Sequence, residues 1–219
     1  LFWAAKGIDG FRCDMAEMVP HEFWAYATQQ VKNRYPKMIF IGEVYDPNQY
    51  RMYFESGFDY LYDKVGMYDC IRGVMCDERP ASSITREWQQ VDDIRDHMLY
   101  FLENHDEQRI ASDFFAGNPW KGVPGMIVSA LLQQNPVMVY AGQEFGERGM
   151  DKEGFSGQDG RSTIFDYWTS DAIFKGFFNR DSLTTDEKKL SLVCQGILRF
   201  CNREKAVREG QTFDLMYAN

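Results

Sequence analysis

Three short segments of this chain end an apolar run in a carboxylate: Gly10-Phe11-Arg12-Cys13-Asp14, Ile41-Gly42-Glu43-Val44 and Phe101-Leu102-Glu103-Asn104-His105-Asp106. In a parallel βα fold the C-terminal ends of strands are where active sites are assembled. Asp, Glu and Asp at such ends suit chemistry at a glycosidic bond, which uses a pair of carboxyl groups flanking the bond that breaks. Period-two alternation puts Phe11 and Cys13 on one face and Gly10, Arg12 and Asp14 on the other. Arg12 would then hold Asp14 ionised and oriented, as a nucleophile at an anomeric carbon must be. A structural Arg–Asp pair capping a strand fits that segment equally well. Glu43 closes a very apolar strand, and such surroundings disfavour the anion and should raise its pKa toward that of a general acid. An exposed carboxylate just past the strand end is the simpler alternative. Asn104 and His105 can donate to sugar hydroxyls, and Asp106 can support positive charge on the ring, although turns are rich in these residue types. Chance placement of all three strand ends in one chain is hard to sustain.

Elements that could position these residues alternate along the chain. Gly7 to Asp14, Met38 to Val44, Phe58 to Tyr62, Leu99 to Asn104 and Pro136 to Tyr140 read as strands. His21 to Tyr35, Asn48 to Ser56, Ile84 to His97, Val123 to Gln134 and Lys188 to Asn202 read as helices, with Pro36 and Gly57 as stop signals. Alternation of this kind favours βα units on a parallel sheet. Glu144 to Ser162 is rich in glycine and charge and reads as a loop. From Gln211 to Tyr217 the pattern suggests the first strand of a separate unit.

Composition narrows the function classes. The chain has 219 residues, 44% hydrophobic and 26% charged, with a net charge of −9 and no basic block, which argues against a nucleic-acid partner. No run of about 18 apolar residues is present to span a membrane. The five cysteines form no CxxC pair and read as buried free thiols, and the three histidines lack metal-ligand spacing, so zinc is not expected. No GxGxxG or GxxxxGK[ST] loop is present, which weakens a nucleotide-binding reading. The N-terminus lacks Met and a signal-peptide pattern, and the chain is expected to be a piece of something larger.

Taken together, Gly-Phe-Arg-x-Asp, Gly-Glu-Val and Asn-His-Asp in this order resemble three signature regions of the α-amylase family of glycoside hydrolases. Asn135 to Glu144, with its Gly-Gln-Glu ending, and Asp159 to Asp166 resemble that family's last strand regions and the loop that follows. The likeness covers roughly residues 1 to 205. It implies a partial TIM-type (β/α)8 barrel, roughly strands 4–8, with residues 206–219 opening a C-terminal β-domain. By the same resemblance Asp14 would be the nucleophile, Glu43 the acid/base and Asp106 the stabiliser of the transition state. Arg12, His105 and Asn104 would bind or orient. The implied activity is retaining hydrolysis of α-glucans such as starch or maltodextrin, with no cofactor required for the chemistry. An α-glucan transglycosylase or branching enzyme and a non-catalytic relative are the alternatives. Many family members carry Lys-His shortly after the nucleophile, where they contact substrate and support a calcium site. Here the pair is Glu17-Met18, which speaks against both. A partial barrel would have two open edges, so poor activity in isolation, or pairing with a second copy through those edges, is expected.

Overall fold

The computed structural model describes residues 1–150, 158–162 and 170–215. Strands β1 (Gly10–Cys13), β2 (Ile39–Gly42), β3 (Tyr60–Tyr62), β4 (Met98–Phe101) and β5 (Val137–Met138) lie side by side in chain order. Every neighbouring pair is parallel, with Arg12 opposite Ile41, Ile41 opposite Tyr60, Leu61 opposite Met98 and Tyr100 opposite Val137. Helices α1 (His21–Lys32), α2 (Tyr50–Glu55), α3 (Asp69–Met75), α4 (Ser83–Gln90) and α5 (Gly122–Leu131) carry the crossovers. After β5 come α6 (Asp171–Phe178), α7 (Thr185–Arg203) and α8 (Lys205–Glu209). Parallel strands joined in order through helices are how a (β/α)8 barrel winds, so the fold is the expected portion of one. Among the described residues β1 and β5 each pair on one side only.

Alternation along the strands sorts two apolar layers. Phe11, Cys13, Phe40, Leu61, Met98 and Tyr100 face the helices, against side chains such as Trp24, Met126 and Leu190. Tyr62, Leu99 and Phe101 face the other way, with Ile41, Tyr60 and Met138 beside them and Tyr68 stacked on Phe101 at 4.8 Å. This second layer is the barrel interior, and all of β4 is buried because both its faces are covered. A side chain added at Gly42 would approach Phe58 and Leu61 to 2.9 Å, so the residue before Glu43 must be small for β2 to seat against β3. Gly57 has φ +97°, a left-handed conformation that suits the helix stop it was expected to provide.

Element ends differ from the sequence reading for local reasons. Helix α4 stops at Gln90, and Asp92 and Asp93 then pair with Arg95 and Arg51 while the chain makes irregular turns. Trp88, Val91 and Ile94 remain buried at helical spacing although the helix has ended. Helix α7 starts at Thr185, earlier than the apolar stripe suggests, because Thr184 and Glu187 form a reciprocal capping box. The strand expected from Gln211 is not formed over Gln211–Asp214; Gln134 donates to the Gly210 carbonyl at 2.8 Å, and Thr212 and Thr85 bond to Leu132 and Asp214. Parts of the expected 144–162 loop and of the 159–166 motif, residues 151–157 and 163–166, lie outside the described residues. All five cysteines are free. No helix among the described residues is long and apolar enough to cross a membrane.

Just past β3, Asp63 accepts from the Met67 N–H at 3.0 Å and so caps the wide turn Lys64–Tyr68. Burial, with the Glu87 charge adding to it, pushes the Asp63 carboxyl up to about 6. A carboxyl raised on folding binds protons more tightly in the folded state, so its stabilisation is complete below about pH 4 and is lost as pH rises through about 6. The loss at pH 7 is on the order of 3 kcal/mol. Asp63→Asn is therefore expected to gain thermal stability relative to the parent at pH 7.5, and to gain little or nothing at pH 4.5. An equal shift in melting temperature at both values would show that Asp63 is not the titrating group.

Candidate active site

The C-terminal ends of β1 and β2 meet at one guanidinium. Arg12 Nη1 donates to Asp14 Oδ1 at 2.5 Å and Nη2 to Glu43 Oε1 at 2.6 Å. Its Nε reaches the Tyr62 hydroxyl at 3.4 Å, and the guanidinium lies 5.3 Å from the centre of the Tyr62 ring. The register that sets Cys13 opposite Gly42 brings the two following carboxylates to the same rim. Asp14 is open to solvent, with 69% of its side chain exposed, whereas the Glu43 side chain is 6% exposed.

Glu43 is buried, as its apolar strand suggested, but it is ringed by donors. Oε2 accepts from the Met15 N–H at 2.8 Å, and Oε1 accepts from the Tyr45 hydroxyl at 3.0 Å as well as from Arg12. Met15 adopts φ +43°, which is unusual for a side-chain-bearing residue and is the conformation in which its N–H meets Glu43. The Tyr45 hydroxyl is pushed far above its ordinary range, first by burial and then by Glu43, with Asp106 and Glu107 contributing. Three carboxylates are thus felt at one phenol.

At the end of β4, Asn104 is buried and its Oδ1 accepts the N–H groups of Asp106 and Glu107, both at 2.9 Å. Asn104 Oδ1 therefore ties the turn together. His105 lies within 3.3 Å of Asp106, whose side chain is 51% exposed. Glu107 pairs with Lys64 at 3.2 Å and accepts from the Tyr68 hydroxyl at 3.0 Å. Below the turn, Glu103 and Arg109 form a fully buried ion pair at 2.8 Å. Burial pushes the Glu103 carboxyl up, while Arg109 and the Ile110 N–H act against that rise.

The structure thus brings Arg12, Asp14 and Glu43 into direct contact, with Asp106 and His105 on the same rim. The sequence reading missed Tyr45, Tyr62, Glu103, Arg109 and the task of Glu17. Tyr62 was findable, since alternation along β3 places it on the face of Arg12. Glu17 accepts from the N–H groups of Tyr45 and Asp46 at 2.8 and 3.1 Å, fastening the segment after Glu43 to the loop after Asp14. Met18, the other half of that pair, is exposed.

Consecutive parallel βα units with an arginine-bridged Asp and Glu and a third carboxylate on the strand-end rim define part of a (β/α)8 barrel with an acidic site. The chain belongs to the α-amylase family: its residues 1–192 match the alpha amylase catalytic domain. Neopullulanase 2 of Thermoactinomyces vulgaris is 28% identical over 152 residues, covering 68% of this chain and 26% of its own length. Alpha-amylase MalA of Haloarcula japonica is 32% identical over 148 residues, 65% of this chain and 21% of its own. The chain therefore spans about a quarter of these curated relatives. Among solved structures, the ligand-free cyclic alpha-maltosyl-(1→6)-maltose hydrolase of Arthrobacter globiformis superposes with a TM-score of 0.71 at 20% identity, over 96% of this chain and 44% of its own.

Proposed function

We propose that this chain carries the reacting carboxylates of a retaining glycoside hydrolase that cleaves α-glucosidic bonds of starch, maltodextrin or related α-glucans. Asp14 attacks the anomeric carbon, Glu43 protonates the leaving oxygen and then activates water, and Asp106 faces the positive charge that develops on the ring. Arg12 orients Asp14, His105 binds the sugar at the cleaved bond, and Asn104 holds the turn that presents both. The observation that carries this reading is the Arg12 fork: one guanidinium is bonded to both the exposed Asp14 and the buried Glu43 carboxyl groups. Retaining enzymes keep this pair about 5–5.5 Å apart, against about 6.5–9.5 Å in inverting ones. Membership of the α-amylase family and the names of the relatives support the substrate class.

The test is incubation of the whole protein with maltoheptaose, following products by NMR, with Glu43→Gln as control. Glutamate-dependent cleavage that first releases the α-anomer supports the proposal. First release of the β-anomer, or cleavage that survives in Glu43→Gln, would overturn it. An added acceptor sugar separates the outcomes further, because longer products accumulating ahead of hydrolysis would assign a transglycosylase.

A further inference from the structure

Asp106 sits in a turn with no regular secondary structure, so something else must fix it. The turn is bracketed by two buried charged residues, Glu103 at 2% exposure and Arg109 at 1%. Glu103 accepts from Arg109 Nη1 at 2.8 Å and from the Ile110 N–H at 2.8 Å, which closes the turn at its base. The remaining donors of Arg109 go elsewhere: Nη2 to the Ala141 carbonyl at 2.9 Å, just past β5, and Nε to Ser162 Oγ at 3.0 Å. Its guanidinium stacks 4.1 Å above the Tyr140 ring, and the Tyr140 hydroxyl in turn donates to the Ser162 carbonyl at 2.7 Å. A buried ion pair alone is weak evidence for stability, since well-packed apolar residues often serve as well. Here the planar fork reaches three separate segments at once, which a lysine cannot reproduce.

We infer that Arg109 is a positioning residue for Asp106, clasping the base of its turn through Glu103 and fixing that turn to the Ala141 and Ser162 segments. This inference rests on the proposed role of Asp106. Docking of residues 158–162 thereby becomes a condition for the third carboxylate to stand at its working height. A displacement of the order of 1 Å can lower a rate about 10²-fold without altering the groups that react.

The experiment is a double-mutant cycle on the whole protein, with turnover of maltoheptaose read as kcat and KM. Arg109→Lys is expected to lower kcat about 10²-fold with KM within about twofold. In an Asp106→Asn background the same change is expected to do almost nothing further, because the group it positions is gone. Equal losses in the two backgrounds, or an unchanged kcat, would overturn the inference. Ser162→Ala keeps the ion pair and folds where Arg109→Lys fails; it is expected to lower kcat about tenfold, again only while Asp106 is present. Full turnover in Ser162→Ala would overturn the link to that segment. Asp106→Asn measured alone separates the two levels: full activity there removes the catalytic reading itself, whereas a large loss with additive Arg109→Lys removes only the positioning.

Discussion

Asp14→Asn is expected to abolish the covalent glycosyl-enzyme and to lower kcat on α-glucans by about 10⁴-fold or more, as loss of a nucleophile does elsewhere. Asp14 is exposed, so an isosteric amide there leaves packing untouched. Arg12 keeps its bond to Glu43 and its contact with Tyr62, so the site is not left with an unpaired buried cation. The loss therefore reports on chemistry and not on folding. Mass spectrometry with a fluorinated glycosyl donor checks it: an adduct on the parent protein and none on the variant is the expected pair. An adduct that forms at the parent rate in Asp14→Asn would assign the nucleophile to another residue.

Glu43→Gln is expected to lower kcat on maltoheptaose by about 10³- to 10⁴-fold, the upper range for removal of a general acid–base group. The amide oxygen can take the place of Oε2 and accept from the Met15 N–H, and the amide nitrogen can donate to the Tyr45 hydroxyl, so only the bond from Arg12 is lost. With an aryl glucoside bearing a good leaving group the first step no longer needs the acid, so the glycosyl-enzyme should form and then persist for want of a base. A burst of phenol followed by slow turnover is the signature. If polysaccharide and aryl substrate lost rate equally, Glu43 would be holding the site together and not handling the proton.

Much of this site was legible because strand alternation and strand ends follow fixed geometry. Arg12 and Asp14, two residues apart, had to share a face, and the β1–β2 register delivers Glu43 to the same fork. The parallel fold followed from alternating apolar runs, which tertiary packing left intact in order if not at their ends. What stayed hidden depends on contacts far apart in sequence. Burial of Glu43 was foreseeable from its strand, whereas the donors that surround it come from the Met15 backbone, Tyr45 and Arg12, which only folding assembles. Glu103 and Arg109 sit in plain view beside Asn104-His105-Asp106. Their pairing showed only once Ala141 and Ser162 were known to lie within reach.

The shared guanidinium has a consequence for how charge moves during turnover. In the proposed first step Asp14 loses its negative charge to an ester while Glu43 acquires one by giving up its proton. Arg12 is already bonded to both, so its counter-anion changes identity without the cation moving. The three groups together hold the same net charge before and after each half-reaction. The charge that appears on buried Glu43 therefore meets a cation and hydrogen-bond donors already in place, and preorganisation of this kind lowers barriers.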